Sequence, residues 1–281
     1  MNDRVVTSIG DRRDAILDVI QGARHRLLLS LFRCNDDGVF DGLARAVARG
    51  VAVEVLTTAR AKGGRARLEK LWNALSRTGA LVHTYGDPVV KYHAKYLVAD
   101  DGPAVVASLN FTHKCFNRTL DAVVITHDPT VVTSLERLFS ADCEGRPVPA
   151  PLSSRLIIGP EWARRQYTEL IGQARKSIRL IDAKLSDPDL LTLLGQRRND
   201  GVSVEIVTSK RVGELKSHGK IMLIDSRTAV VGSLALTALS LEFRREVAIT
   251  IDKVDAIVEI EQLFGAHQPV EASGGPPLAG G

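Results

Sequence analysis

Tyr92-His93-Ala94-Lys95-Tyr96-Leu97-Val98-Ala99-Asp100 runs on to Ala104-Val105-Val106-Ala107-Ser108-Leu109-Asn110. Later, Ser217-His218-Gly219-Lys220-Ile221-Met222-Leu223-Ile224-Asp225 runs on to Ala229-Val230-Val231-Gly232-Ser233-Leu234-Ala235. Both segments read H-x-K-x4-D-x6-(G/A)-S-L-x without a gap. A single H-x-K triplet is common in proteins. Two copies in register, each in the same apolar setting, point to one site built from two halves.

The repeat extends well beyond the motif, and self-similarity of this length sets the architecture. Residues 15–32 resemble 167–184, each a helix-period run ending in a strand-like run. Gly50-Val-Ala-Val-Glu-Val matches Gly201-Val-Ser-Val-Glu-Ile, an alternating strand after a helix that ends in glycine. Each copy closes on a strand (Asp121-Ala-Val-Val-Ile-Thr and Glu246-Val-Ala-Ile-Thr-Ile) and a helix (129–139 and 253–264). The expected fold is α/β, with two pseudo-symmetric lobes, each a mixed β-sheet flanked by helices, and the site at the lobe interface. The lobes are expected at 1–144 and 155–265. The Pro-rich stretch 145–154 would link them, and a disordered Gly- and Pro-rich tail would follow from 266 to 281. The first copy has an insertion ahead of its motif, predicting an extra helix near 65–77 and an extra strand near 80–85. Residues 60–77 hold six basic residues and one acidic residue, either a solvated face or a strip for phosphates.

On a strand, His93 and Lys95 would project from one face. A two-residue turn at Asp101-Gly102 would set Lys95 opposite Ser108 and His93 opposite Asn110. A turn at Ser226-Arg227 would set Lys220 opposite Ser233 and His218 opposite Ala235. Such a polar cluster on an apolar hairpin is costly unless it is paired or faces a cavity. The chemistry it suits is phosphoryl transfer. Two ammonium groups can hold the nonbridging oxygens of a phosphodiester. One neutral imidazole can attack phosphorus while a protonated one serves the leaving oxygen. No metal is needed, and the acids and histidines lack the spacing of common zinc motifs.

The whole chain bounds the rest. It has 281 residues, 44% of them hydrophobic, and a net charge of +4, compatible with an anionic substrate. Cys34, Cys115 and Cys143 are too few and too scattered for a disulfide framework, which suits a reducing cytoplasm. The charged N-terminal residues do not read as a signal peptide, and no apolar run reaches the length of a membrane span.

With its duplicated H-x-K-x4-D motif and following G-S-x-N pattern, the chain resembles the phospholipase D superfamily from about Asp11 to Phe264. The resemblance implies a covalent phosphohistidine intermediate formed without metal or other cofactor. It implies His93, from the first motif, as nucleophile and His218 as general acid, with Lys95 and Lys220 beside them. A carboxylate shortly after each motif, here Asp121 and Glu246, would bond the histidine and fix its tautomer. Ser108, Asn110 and Ser233 would bind substrate or support the site. Asp100 and Asp225 fit the supporting motif aspartate, although hairpin-turn acids are an equal reading. This chain departs from the pattern at Ala107, Ala235, Thr119 and Arg244.

The resulting expectation is a phosphodiesterase, with nucleic acid favoured over phospholipid as substrate. The alternatives are a phospholipid hydrolase or phosphatidyltransferase, and an inactive nucleic-acid-binding or scaffold protein. Both motifs lie in one chain, so no oligomer is required for a complete site.

Overall fold

The computed structural model describes residues 3–60, 64–207, 211–212 and 215–265; the tail expected from 266 lies outside them. The first half runs β1 (Arg4–Val6), α1 (Ile9–Gly22), β2 (Arg26–Leu31), α2 (Asp37–Ala48), β3 (Ala52–Thr58), α3 (Arg65–Ser76), β4 (Leu81–Tyr85) and β5 (Lys91–Tyr92). It continues with β6 (Tyr96–Ala99), β7 (Ala104–Ala107), α4 (His113–Arg118), β8 (Thr119–Leu120), β9 (Val123–Thr126) and α5 (Pro129–Glu144). The second half runs β10 (Leu156–Gly159), α6 (Ala163–Gln173), β11 (Ser177–Ile181), α7 (Pro188–Asn199), β12 (Ser203–Val207), β13 (Arg211–Val212) and β14 (Leu215–Ser217). It ends with β15 (Ile221–Ile224), β16 (Thr228–Gly232), α8 (Ala238–Phe243), β17 (Arg244–Ile251) and α9 (Val254–Gly265).

The halves build equivalent mixed sheets, ordered β1-β9-β7-β6-β2-β3-β4 and β10-β17-β16-β15-β11-β12. The inserted α3 and β4 appear where the first copy is longer, and β4 extends only the first sheet. The short edge strands β1 and β10 were not legible as repeats. Apolar residues on both faces of each sheet are buried, as helix-covered sheets require. One continuous core lies between the lobes and includes Tyr96, Val106 and Val124 from one sheet with Leu156, Ile221 and Val247 from the other. Leu135 and Phe139 of α5 and Ile260 and Phe264 of α9 fill the same core. Two further cores underlie the outer helices, α1 and α2 on one side and α6 and α7 on the other.

The motif hairpins differ by one residue from the expected register. Tyr96 opposes Val106, and Ile221 opposes Val231. The reason is the turn. Asp100 and Asp225 adopt left-handed φ values of 48° and 53°, lengthening each turn to three residues. Left-handed backbone is uncommon outside glycine, and here each carboxylate secures it. Asp100 accepts N–H bonds from Arg24, His25 and Arg26; Asp225 accepts them from Arg175, Lys176 and Ser177. The two motif aspartates therefore join each hairpin turn to the start of β2 or β11, and touch neither histidine.

Two small exchanges between the halves matter most for the site. β5 leaves the first half to pair in parallel with β17, setting Lys91 against Arg244 and Tyr92 against Arg245. β14 of the second half pairs in parallel with β8 of the first, setting Lys216 against Thr119 and Ser217 against Leu120.

Candidate active site

The exchanged strands end one residue before the chemistry. Beyond Tyr92 and Arg245 the next residues are His93 and Glu246; beyond Ser217 and Leu120 they are His218 and Asp121. Backbone bonds continue the pairing, with His93 N donating to Arg245 O at 2.9 Å and Gly219 N to Leu120 O at 2.7 Å. Each histidine is thus set beside the carboxylate of the opposite lobe. His93 Nδ1 lies 3.1 Å from Glu246 Oε1, and His218 Nδ1 lies 3.1 Å from both oxygens of Asp121. The expectation that each carboxylate serves its own motif is corrected. Sequence offsets show equivalence between halves, and the parallel pairing crosses it.

His93-Ala94-Lys95 and His218-Gly219-Lys220 are not strand residues; they connect β5 to β6 and β14 to β15. Lys95 Nζ donates to the His93 carbonyl at 2.6 Å and also lies 3.1 Å from His93 Nδ1. Lys220 Nζ donates to the His218 carbonyl at 2.5 Å. The glycine between His218 and Lys220 has a steric reason, since a Cβ there would stand 2.8 Å from the Leu120 carbonyl.

The two carboxylates are supported differently. Asp121 is fully buried and accepts from Ser108 Oγ at 2.7 Å and Thr119 Oγ1 at 2.5 Å. Arg12 of α1, also fully buried, clamps this segment by donating to the carbonyls of Phe116, Thr119 and Asp121. Glu246 accepts from Ser240 Oγ at 3.0 Å, and its Oε1 lies 3.6 Å from Arg244. Its other oxygen is buried without a hydrogen-bond partner, as is Asn110 Oδ1. Ser233, the counterpart of Ser108, bonds the backbone of Val247 rather than Glu246. With the register shifted, Ser108 bonds the backbone of Ala122 and does not oppose Lys95.

The electrostatics are unequal as well. Burial, then the charges of Lys95, Lys220, Arg244 and Lys184, hold His93 well below its ordinary pKa. His218 is raised by Asp121, but burial together with Lys220 and Lys95 outweighs this and leaves it lowered. Burial opposes ionisation of Asp121, yet His218, Lys220 and the Thr119 hydroxyl bring it down to about 2, so it is anionic. Burial raises Glu246 against the pull of Lys95, Arg244 and Lys220. Lys95 is lowered to about 7, by burial first, with Glu246 opposing and Lys220 adding to the shift.

Sequence reasoning missed Phe32, Ser240, Lys184 and Arg12. Phe32 follows β2, and its ring packs on His93 at a centroid distance of 4.5 Å. Nothing local in the sequence marks it; only its place after a central strand of the mixed sheet does. The ligand-type atoms of Cys115, Asp121 and His218 lie within 4.8 Å of one another, so one soft-metal donor set coincides with the site. Asp121 already accepts two hydroxyls and faces the His218 ring.

Among the described residues, no helix is long and apolar enough to cross a membrane. Comparison with solved structures shows the fold. Polyphosphate kinase from Porphyromonas gingivalis superposes with a TM-score of 0.78 and 19% identity over 94% of this chain, which spans only 46% of the kinase. Phosphatidylserine synthase from Haemophilus influenzae superposes with a TM-score of 0.75 and 12% identity, covering 95% of this chain and 86% of that one. No curated protein sequence matches. The family described as the PLD-like domain of cardiolipin synthase matches residues 16–143 and 211–268, the regions that hold both motifs. The chain belongs to this PLD-like family, within the phospholipase D superfamily.

Proposed function

We propose that this protein is a phosphodiesterase that works through a phosphohistidine on His93. The observation that carries the reading is the meeting of His93, Lys95, His218 and Lys220 between the lobes, with each ring nitrogen Nδ1 facing a buried carboxylate. A carboxylate at Nδ1 favours the tautomer that leaves Nε2 for chemistry. His93, held neutral, attacks phosphorus through Nε2 and forms the N–P bond. The P–O bond to the leaving group breaks, and the departing oxygen takes a proton from His218 Nε2, where Asp121 stabilises the imidazolium. In the second step His218 accepts a proton from water, whose oxygen attacks phosphorus, and the N–P bond breaks. Lys95 and Lys220 hold the nonbridging oxygens. Lys95 also sits against His93 Nδ1, and a bound phosphate would draw its ammonium away and free that nitrogen for Glu246.

Nucleic acid is the substrate we favour. The basic residues Arg65, Arg67, Lys70 and Arg77 of the α3 region are exposed and offer salt-dependent phosphate contacts. One observation favours the phospholipid reading instead. Val89, Leu239 and Phe243 are exposed apolar residues, and they flank the Lys91–Arg244 strand pair beside His93. The names of the two superposed enzymes point to different substrates, and at their low identity neither decides.

The test is cleavage in EDTA of labelled single- and double-stranded nucleic acid and of phospholipid vesicles, by wild type, His93→Ala and His218→Ala. Metal-independent cleavage lost in both variants supports the reading, and the substrate cleaved selects its branch. Binding without turnover would make the protein a nucleic-acid-binding or scaffold member. Turnover surviving both substitutions would refute the site.

A further inference from the structure

Six residues before each carboxylate of the site stands Cys115 in the first lobe and Ser240 in the second. Each is the third residue of a short helix, α4 or α8, and the capping threonine, Thr112 or Thr237, accepts its N–H. The backbone thus places the two side chains alike. In the second lobe the Ser240 hydroxyl donates to Glu246 Oε1 at 3.0 Å. In the first lobe the matching group is a thiol, and its sulfur lies with the donor atoms of Asp121 and His218, all within 4.8 Å of one another.

That one exchange changes what the cluster can bind. His93, Glu246 and Ser240 offer nitrogen and hard oxygen. His218, Asp121 and Cys115 offer imidazole, carboxylate and sulfur, the donor types that select zinc. A thiolate and a carboxylate together also supply the two negative charges that balance a divalent ion.

The spacing suits such an ion. Nitrogen and oxygen ligands of one tetrahedral zinc stand about 3.3 Å apart, and sulfur about 3.6 Å from either. His218 Nδ1 is 3.1 Å from both Asp121 oxygens, so two of the three donors are already close to that separation. Ser108 and Thr119 each take one position on the carboxylate, of about four that it offers, and hold its orientation. The side toward His218 is left for an ion, which would replace the proton between ring and carboxylate. Cys115 and Asp121 are buried, and His218 is a quarter exposed, so entry is from the site mouth.

We infer that Cys115, Asp121 and His218 form an inhibitory zinc site. On binding, the thiol proton and any proton on Nδ1 leave to solvent, and the three side chains ligate the ion with solvent in the remaining position. His218 then cannot become the imidazolium that the leaving oxygen needs. The inhibition rests on the phosphodiesterase reading above; the binding does not.

Cd2+ is the probe, because a bound thiolate gives an ultraviolet charge-transfer absorption that nitrogen and oxygen ligands do not. It is titrated, in phosphate-free buffer, into the full chain as wild type, Cys115→Ser, Cys115→Ala, Cys143→Ser and His218→Ala. Wild type and Cys143→Ser should show the band, and excess Zn2+ should remove it. Both Cys115 variants should lack it, with circular dichroism confirming that they fold. His218→Ala should need more Cd2+ to reach the same band. Turnover of bis(p-nitrophenyl) phosphate should be abolished by Zn2+ in wild type, restored by EDTA, and resistant to Zn2+ in Cys115→Ser. A band that persists without Cys115, or an unchanged titration in His218→Ala, would overturn the site. Equal zinc inhibition of wild type and Cys115→Ser would do the same, as would binding through Cys115 with no loss of turnover. If wild type turns over nothing even in EDTA, the phosphodiesterase reading fails, and the Cd2+ titrations still decide the site.

Discussion

His93 of the first lobe meets Glu246 of the second at 3.1 Å, and the contact follows from the parallel pairing of β5 with β17. In the proposed reaction Glu246 is thus a positioning residue for a histidine in the other half of the chain. Glu246→Gln keeps the shape but lets the side chain present either an oxygen or an NH2 to Nδ1. It should lower kcat by about 10- to 100-fold, the order lost when the partner that orients a metal-bound imidazole is removed. KM should change little, because the side chain of Glu246 is buried against His93, Ser240 and Arg244. A raised KM with unchanged kcat would contradict a positioning role.

The unequal histidines set the direction of the pH response. His93 is held well below its ordinary value and stays neutral through mildly acid solution, so the acid limb of kcat/KM should lie far below pH 6.5. Activity should fall as pH rises through the lowered pKa of His218, below 6.5, and fall further past about 7, where Lys95 loses its proton. Asp121→Asn removes the charge that raises His218, so the falling limb should move to lower pH. A stopped-flow pH profile on a single-phosphate diester measures this, and a limb displaced to higher pH would refute the assignment of His218 as acid.

Arg245 joins the lobes from within the core. Its guanidinium bonds Asp142 of α5 at 2.9 Å, the Gly159 carbonyl at 2.8 Å and both oxygens of Glu161. Asp142 is nearly fully buried, and burial pushes it up to about 7 even with Arg245 pulling it down. Arg245→Met strands that acid and should cost about 3–5 kcal/mol of stability, as breaking a buried pair does. Arg245→Met combined with Asp142→Leu should recover at least half of the loss in urea unfolding. Failure to recover would mean the arginine acts through Glu161 and Gly159 alone.

Gly232 packs against the backbone of β17. A Cβ at that position would stand 2.3 Å from Ala248 Cα and 2.4 Å from the Val247 carbonyl. Gly232→Ala should therefore destabilise by about 1–3 kcal/mol, the usual cost of overpacking. It should also reduce activity, because the displaced strand carries Glu246. At the equivalent position of the first lobe the chain already has Ala107, so Ala107→Gly should cost only about 0.5–1 kcal/mol. Similar penalties for the two substitutions would mean that the sheets tolerate the change alike.

The lobes, the paired sheets and the inserted α3 and β4 were legible because long apolar runs repeat with helix or strand period. His93, Lys95, His218, Lys220, Asp121 and Glu246 were legible for a different reason: they recur at the same offsets in both halves. The hairpin register was misread by one residue, since nothing in Asp100 or Asp225 announces left-handed backbone held by three N–H bonds. Which carboxylate faces which histidine was hidden in β5 and β8, two-residue strands too short to show any period. Phe32 and Arg12 are single residues whose partners lie far away in the chain, so neither leaves a local signature.

The exchange of β5 and β14 between lobes also has an evolutionary side. Two identical half-length chains could trade such strands, but symmetry would then give both copies one residue at every position. Joined in one polypeptide, the halves escape that restriction. Threonine can become arginine on one side, asparagine can become alanine, and aspartate can lengthen to glutamate. Within one polypeptide the two histidines can therefore differ in surroundings, as His93 and His218 do in the charges that face them.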